Sequence, residues 1–280
     1  MHGDALPRRE LESGFDFQGS RVPLLGPQGI FKPAILDVPL SITTAPRVPG
    51  KPAPYDDSLT KDGLLAYRYR GSDPHHRDNV GLRIAMREHI PLIYFHGLVP
   101  GYYAAARPVF IVGDDPSSLS FTVAIDDSHA IGRFGTTVAD DFRRRYVTRL
   151  QMQRLHQASF RERVIRAYRQ TCAVCRLRHD ELLDAAHILP DTHPRGKPVV
   201  PNGLSLCKLH HAAFDRNIIG IRPDLVIEVS MKVLREIDGP MLRHGLQGFH
   251  EQRLIVPRHL SERPDRERLE ERYEEFRKAG

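Results

Sequence analysis

The segment "CAVCRLRHDELLDAAHILPDTHPRGKPVVPNGLSLCKLHHAAFD", Cys172–Asp215, contains all three cysteines of the 280-residue chain. Metal-binding residue types form a pair near each end of it. Cys172 and Cys175 are separated by two residues, and so are Cys207 and His210. Thiolate and imidazole are the ligands that zinc prefers, and four of them close a tetrahedral structural site. The spacing therefore predicts a structural Zn²⁺ that joins the two ends of the segment.

A second set of polar residues lies between and just after these pairs. His187 ends a predicted strand in "AAHILP", and Asn202 stands in a turn before the next strand in "PNGLSL". In "HHAAFD", His211 and Asp215 are four residues apart, so they share one face of a predicted helix. The order of strand, turn, strand and helix, with flanking zinc pairs, resembles the ββα-metal fold of the HNH endonucleases.

This resemblance implies a mechanism of phosphodiester hydrolysis. His187 is then the general base that deprotonates the attacking water, and Asn202 holds that histidine in position. His211 is the implied ligand of a catalytic divalent cation, such as Mg²⁺, Mn²⁺, Co²⁺ or Ni²⁺, with Asp215 as a second ligand. Many HNH enzymes carry a metal ligand directly before the base histidine, where this chain has Ala186. Metal binding is therefore expected to depend on His211 and Asp215.

Composition and charge restrict the class of protein. The chain has 41 Lys and Arg against 35 Asp and Glu, which gives a net charge of +6 and favours a nucleic-acid partner. No apolar run approaches the roughly 18 residues that cross a bilayer. The N-terminal sequence "MHGDALPRRELESG" lacks the apolar core of a signal peptide, so we expect a cytoplasmic protein. In that compartment, three cysteines are expected to bind metal rather than to form disulfides.

The sequence before the cysteine segment changes character once. Short β-branched and aromatic runs bounded by Gly, Pro or Asp, such as "IPLIYFHGLV" and "LSFTVAIDD", predict a mostly β domain. Residues 138–170 contain no Gly or Pro and predict helices, with Ser159 as the cap of a second one. The predicted fold class is α+β, with a β domain at 1–135, a helical linker at 136–160 and a ββα domain at 161–280.

The β region also carries a family resemblance. In "PYDDSLTKDGLLAYRYRGSDPHHRDNVGLRIAMREHIPLIYFHG", residues 54–97, a tyrosine and paired aspartates precede a Y-R-Y-R-G turn and an N-x-x-L-R-I-A helix. This order is similar to the SRA domain, a PUA-like β-barrel that flips 5-methylcytosine or 5-hydroxymethylcytosine out of duplex DNA. The similarity covers roughly residues 20–130.

The SRA resemblance implies a pocket for the flipped base. Such a pocket needs flat walls and a polar floor, because stacking and hydrogen bonds must offset the cost of unstacking. The implied walls are Tyr55 and Tyr69, and the implied contact to the exocyclic amine is Asp57, with Asp56 as its competitor. Arg70, beside the second tyrosine, alternatively suits a phosphate contact.

Together these patterns predict a modification-dependent restriction endonuclease. Its partner is double-stranded DNA with modified cytosine, it needs no membrane, and double-strand cutting by a one-site nuclease favours a homodimer. Two alternatives stay open: a non-catalytic, zinc-stapled DNA-binding protein, or an HNH nuclease whose β domain recognises another target. Metal-dependent cleavage of methylated against unmethylated plasmid distinguishes them.

Overall fold

The computed structural model describes residues 5–46, 60, 63–125, 138–237 and 239–279. The chain forms two compact units, Met1–Ser159 and Phe160–Gly280. The division predicted from the sequence, with a β domain at 1–135, a helical linker at 136–160 and a ββα domain at 161–280, stays a prediction.

The first unit is built around one mixed sheet. Its elements are β1 (Leu6–Pro7), α1 (Arg8–Ser13), β2 (Phe15–Phe17), β3 (Ser20–Val22), β4 (Ile30–Phe31), β5 (Ser41–Thr44), β6 (Leu65–Arg68), α2 (Arg77–Arg87), β7 (Leu92–Val99), β8 (Tyr102–Asp115) and β9 (Ser120–Ile125). The strands run in the order β4-β5-β7-β8-β9-β6, with β1 paired to β8. Among the strands that the structure describes, only β5 and β7 pair in parallel.

Alternation explains the core of this sheet. On β6, Leu65 and Tyr67 are buried, whereas Ala66 between them is only partly covered and Arg68 is exposed. Helix α2 packs against β8 and buries Leu82. The sheet curls into a half-barrel, and the closed SRA-like barrel expected from the sequence stays a prediction.

One long helix, α3 (Val138–Ala167), follows the sheet in the chain. The predicted second helix capped by Ser159 is wrong, because α3 continues through this residue without a break. No Gly or Pro interrupts the stretch, and the Ser159 hydroxyl donates a hydrogen bond to the carbonyl of Leu98 instead of capping a helix.

The second unit has the predicted order of strand, turn, strand and helix. Its elements are β10 (Leu183–His187), β11 (Gly203–Cys207), α4 (Lys208–Asp215), β12 (Ile219–Ile221), β13 (Ile227–Val229), α5 (Met231–Leu234), α6 (Pro240–Gly245) and α7 (Arg266–Ala279). Strands β10 and β11 pair antiparallel, with Leu183 opposite Cys207 and His187 opposite Gly203. Apolar side chains of β10, β11, α4 and the end of α3 form one buried cluster, so these elements are held as a rigid frame.

Within the described part of the chain, no helix combines the length and the apolar character needed to cross a lipid bilayer.

Candidate functional site

The four predicted zinc ligands come together. The ligand atoms of Cys172, Cys175, Cys207 and His210 all lie within 4.8 Å of one another. The Cys175 and Cys207 sulfurs are 3.9 Å apart, and Cys172 Sγ lies 3.6 Å from His210 Nδ1. A tetrahedral zinc with bonds of about 2.3 Å to sulfur sets its sulfurs about 3.8 Å apart. The cluster therefore fits a metal such as zinc.

Local backbone structure holds these ligands. Cys207 ends β11 and precedes α4, which brings His210 back over it. His210 Nε2–H donates to the carbonyl of Gly245 at 2.9 Å, which leaves Nδ1 as the ligand atom. Hydrogen bonds from Cys172 and Cys175 lower the pKa of the Cys207 thiol, and metal binding requires the thiolate.

His187 is supported by an aromatic ring. The ring of Phe160 stacks on its imidazole with centroids 4.1 Å apart and planes at 18°. Gly203, opposite His187 in the strand pair, makes room for this ring. A Cβ at position 203 would lie 2.9 Å from Phe160 and 2.4 Å from Val164. The glycine of the N-G-L turn is therefore needed for close packing beside the candidate base.

The surroundings of His187 keep it neutral. Burial lowers the pKa of its imidazole, and the charge of His211 adds to this effect, while Asp191 and Asp215 oppose it. Asp191 Oδ1 lies 3.0 Å from His187 Nε2. That approach does not meet hydrogen-bond geometry, and Nε2 has no hydrogen-bond partner among the described residues. A neutral imidazole is suited to accept a proton.

Asn202 is fully buried and clamps the chain that follows His187. Its Oδ1 accepts from the Leu189 amide at 3.0 Å, and its Nδ2 donates to the carbonyls of Leu189 at 2.9 Å and Lys197 at 3.2 Å. Its backbone carbonyl accepts from the amide of Ile188. Asn202 thus acts on His187 through the backbone of the next two residues rather than by touching the imidazole.

His211 and Asp215 share one face of α4, as the spacing predicted. His211 Nε2 lies 3.4 Å from Asp215 Oδ2, and the Asp215 side chain is mostly exposed. Ala186 is fully buried, and its methyl group offers no ligand atom. Among the residues that the structure describes, only the Cys/His cluster gathers three or more closely spaced metal-ligand types. His211 and Asp215 place one imidazole nitrogen and one carboxylate oxygen close together, and their role as metal ligands stays a prediction.

Two carboxylates near this site were not found from the sequence. Asp191 faces His187, and Asp184 lies 3.5 Å from His211 Nδ1. His211 and Lys208 hold the pKa of Asp184 well below its usual range. Strand alternation puts Asp184 on the same face as position 186, which is the one signal that points to it in the sequence.

The predicted base pocket is only partly covered by the described residues. Tyr55, Asp56 and Asp57 lie outside them. Tyr69 is buried, its ring lies 4.5 Å from that of Phe121, and its hydroxyl donates to Asp114 and accepts from Arg83. A cavity of about 170 Å³ lies beside it, lined by Gly29, Ile30, Thr43, Tyr67, Arg68, Tyr69 and Arg70.

Two further features of this cavity bear on what it can hold. Thr43 Oγ1 has no hydrogen-bond partner within the described part of the chain. The guanidinium of Arg70 pairs with Asp78 and Gln28, so it is already engaged rather than free for a phosphate.

A basic groove lies in the second unit. Its volume is about 780 Å³, and it is lined by Ala167, Tyr168, Arg169, Gln170, Thr171, Arg176, Arg178, Ile255 and Val256. The three arginines are exposed, and none of them forms an ion pair with a described residue. Arg169, Gln170 and Arg176 all have φ between +50° and +70°, a strained conformation that often marks functional segments.

A comparison with protein families identifies the domain in which these residues lie. Residues 172–222 match the HNH endonuclease family. No curated protein matches the chain. A solved structure described as the modification-dependent TagI restriction endonuclease aligns with 84% of this chain and 80% of its own, at 18% identity and a TM-score of 0.30. The segment that holds the metal cluster, His187 and helix α4 is an HNH endonuclease domain, and the protein is a nuclease enzyme.

Proposed function

We propose that this protein is a modification-dependent restriction endonuclease. Its second unit hydrolyses phosphodiester bonds in double-stranded DNA, and its first unit recognises 5-methylcytosine or 5-hydroxymethylcytosine. The observation that carries the catalytic part is the arrangement around His187: a neutral imidazole stacked on Phe160, with His211 and Asp215 acting on its pKa.

His187 is the general base of this proposal. Its imidazole takes the proton of the attacking water, and the lowered pKa keeps the ring neutral at neutral pH. The Phe160 ring fixes the plane of the imidazole. Asn202 fixes the backbone behind it through both polar groups of Leu189. The base is thus held in one orientation before DNA arrives, as efficient proton transfer requires.

His211 and Asp215 are the proposed ligands of a catalytic divalent cation such as Mg²⁺, Mn²⁺, Co²⁺ or Ni²⁺. When bound, the cation neutralises charge on the phosphate and on the leaving oxygen. The Cys/His cluster is the proposed site of a separate, structural Zn²⁺, because three thiolates and one imidazole leave no open position. The two metals therefore have different tasks.

DNA binding by the second unit is supported by the basic groove. Guanidinium groups suit phosphate oxygens, and Arg169, Arg176 and Arg178 have no acidic partner among the described residues that would compete for them. We assign this groove to the sugar-phosphate backbone, which contributes affinity without sequence preference.

Base recognition by the first unit is supported by the cavity beside Tyr69. Its volume of about 170 Å³ is below the roughly 300 Å³ at which sites for drug-sized ligands begin, so it suits a single ring. Tyr67 and Tyr69 supply aromatic surface, and Thr43, whose hydroxyl has no hydrogen-bond partner among the described residues, also lines the cavity. Tyr55 and Asp57, with Asp56 as the competitor of Asp57, stay the further pocket residues predicted from the sequence. A homodimer and a cytoplasmic location also stay predictions.

The test is parallel binding and digestion of one duplex made with cytosine, 5-methylcytosine or 5-hydroxymethylcytosine, at one salt concentration. We expect preferential binding and cutting of a modified duplex. Tyr69→Ala should weaken binding to the modified duplex by roughly 5- to 150-fold, the value of one stacked base, and should hardly change binding to unmodified DNA. Tyr69→Phe, which keeps the ring, is the matched control. Equal treatment of all three duplexes by the wild type would leave an HNH nuclease whose first unit recognises a different target.

A further inference from the structure

Asp184 lies on β10 in a half-buried position, beside two cationic side chains and the imidazole of His211. Its carboxylate is 2.8 Å from Lys208 Nζ, 3.5 Å from His211 Nδ1 and 3.8 Å from Arg161 Nε. By strand alternation it shares a face with Ala186, the buried position where a direct ligand is missing. The Asp184 carboxylate thus lies close to His211 from a position two residues before Ala186 on the same strand.

The His211 imidazole stands between two carboxylates. Its Nδ1 faces Asp184, and its Nε2 faces Asp215 at 3.4 Å. A neutral imidazole has one nitrogen that donates N–H and one that offers a lone pair. Only one of the two ring nitrogens can therefore bind a metal, and only the carboxylate at that nitrogen can share the metal with it. One of them must be the partner of the N–H group.

The charges around the His211 ring indicate which of its two nitrogens is the better metal ligand. The Asp184 carboxylate is already compensated by Lys208 and Arg161, and these two positive charges repel a divalent cation. Asp215 is more exposed, with 58% of its side chain accessible against 31% for Asp184. Its charge also acts on His187. The Nε2 edge is therefore the better place for a divalent cation.

We propose that Asp184 is a positioning residue for the catalytic cation. It accepts the Nδ1–H of His211, which fixes the tautomer and the ring orientation and directs the Nε2 lone pair towards the cation. Carboxylate partners of metal-binding histidines typically contribute 10- to 100-fold in metal affinity. This inference rests on the proposed function, because the cation belongs to it.

The first experiment measures cation binding without DNA. The full-length protein, loaded with one zinc per chain, is titrated calorimetrically with Mn²⁺ as wild type, Asp184→Ala, Asp184→Asn and Lys208→Met. We expect about 10- to 100-fold weaker binding for Asp184→Ala and a smaller loss for Asp184→Asn, whose amide oxygen still accepts a hydrogen bond. Lys208→Met, which removes only the surface partner of Asp184, should bind at least as tightly as the wild type. Zinc content and circular dichroism verify that each variant is folded.

A second measurement identifies the metal-binding nitrogen. Two-bond ¹H–¹⁵N correlation spectra of the histidine rings, recorded with Zn²⁺ beyond the first equivalent, report which ring nitrogen carries hydrogen. We expect Nδ1–H and metal-bound Nε2 for His211. Hydrogen on Nε2 would overturn the proposal, because Asp184 would then lie on the metal side. Equal Mn²⁺ affinity of wild type and Asp184→Ala would overturn the positioning role alone. A wild type that binds no second cation would overturn the cation site of the proposed function, and this inference with it.

Discussion

Replacing Asn202 with alanine tests whether the turn between the strands holds the base. Asn202 is fully buried, and two of its three side-chain hydrogen bonds go to Leu189, which is 1% exposed. The substitution leaves the amide and the carbonyl of Leu189 without these partners. An unsatisfied buried group costs about 1–3 kcal/mol, so the predicted loss is about 2–6 kcal/mol. The third bond goes to the carbonyl of Lys197, an exposed residue at which water can replace the lost donor, so it adds little.

Stability and activity are measured together. The chain contains no tryptophan, so urea unfolding is followed by circular dichroism. Hydrogen exchange of peptides that cover β10 and β11 assigns the loss to the second unit. The single-turnover rate at saturating DNA should fall at least tenfold, because the backbone behind His187 is no longer fixed. An unchanged unfolding midpoint together with unchanged exchange around Leu189 would refute this reasoning.

The first unit offers a matched control. Asn79 is also fully buried, and it makes the same three kinds of hydrogen bond, with the Arg70 amide, the Arg70 carbonyl and the Asp73 carbonyl. Asn79→Ala should lose comparable stability while keeping a single-turnover rate close to that of the wild type. If both variants lose the same rate, general destabilisation explains the result and Asn202 has no special role.

Further predictions concern the metal cluster, the base and the groove. Cys175→Ser should lose the one zinc that survives gel filtration and unfold the second unit. A soluble variant with an unchanged melting temperature would contradict a structural zinc site. Because burial lowers the pKa of His187, cleavage should rise with pH through a midpoint below about 6.5 and stay level above it; a midpoint clearly above 6.5 would exclude a neutral buried base. Arg176→Ala and Arg178→Ala should each reduce the slope of log K against log salt by about 1, while Arg222→Ala, whose guanidinium pairs with Asp224 at 2.8 Å, should leave the slope unchanged. Unchanged slopes for both groove variants would remove the groove from DNA binding.

The metal cluster and the ββα order were predictable because their signals are local in sequence. One C-x-x-C pair, one C-x-x-H pair and the four-residue spacing of His211 and Asp215 each determine the local geometry within a single turn. Phe160 and Asp184 were not predicted, because their contacts depend on how α3, β10 and α4 pack rather than on spacing. The helix start predicted at Ser159 does not exist, because a helix interior without Gly or Pro overrides one capping residue.

His187→Ala tests the central claim most directly. The measurement is the single-turnover rate of cutting a modified duplex at saturating DNA and cation, with DNA affinity and zinc content determined on the same preparation. The proposed chemistry predicts a rate at least 10²- to 10⁴-fold below that of the wild type, with affinity and zinc content nearly unchanged. A variant that binds DNA, retains its zinc and still cuts at close to the wild-type rate would contradict the role of His187 as the general base.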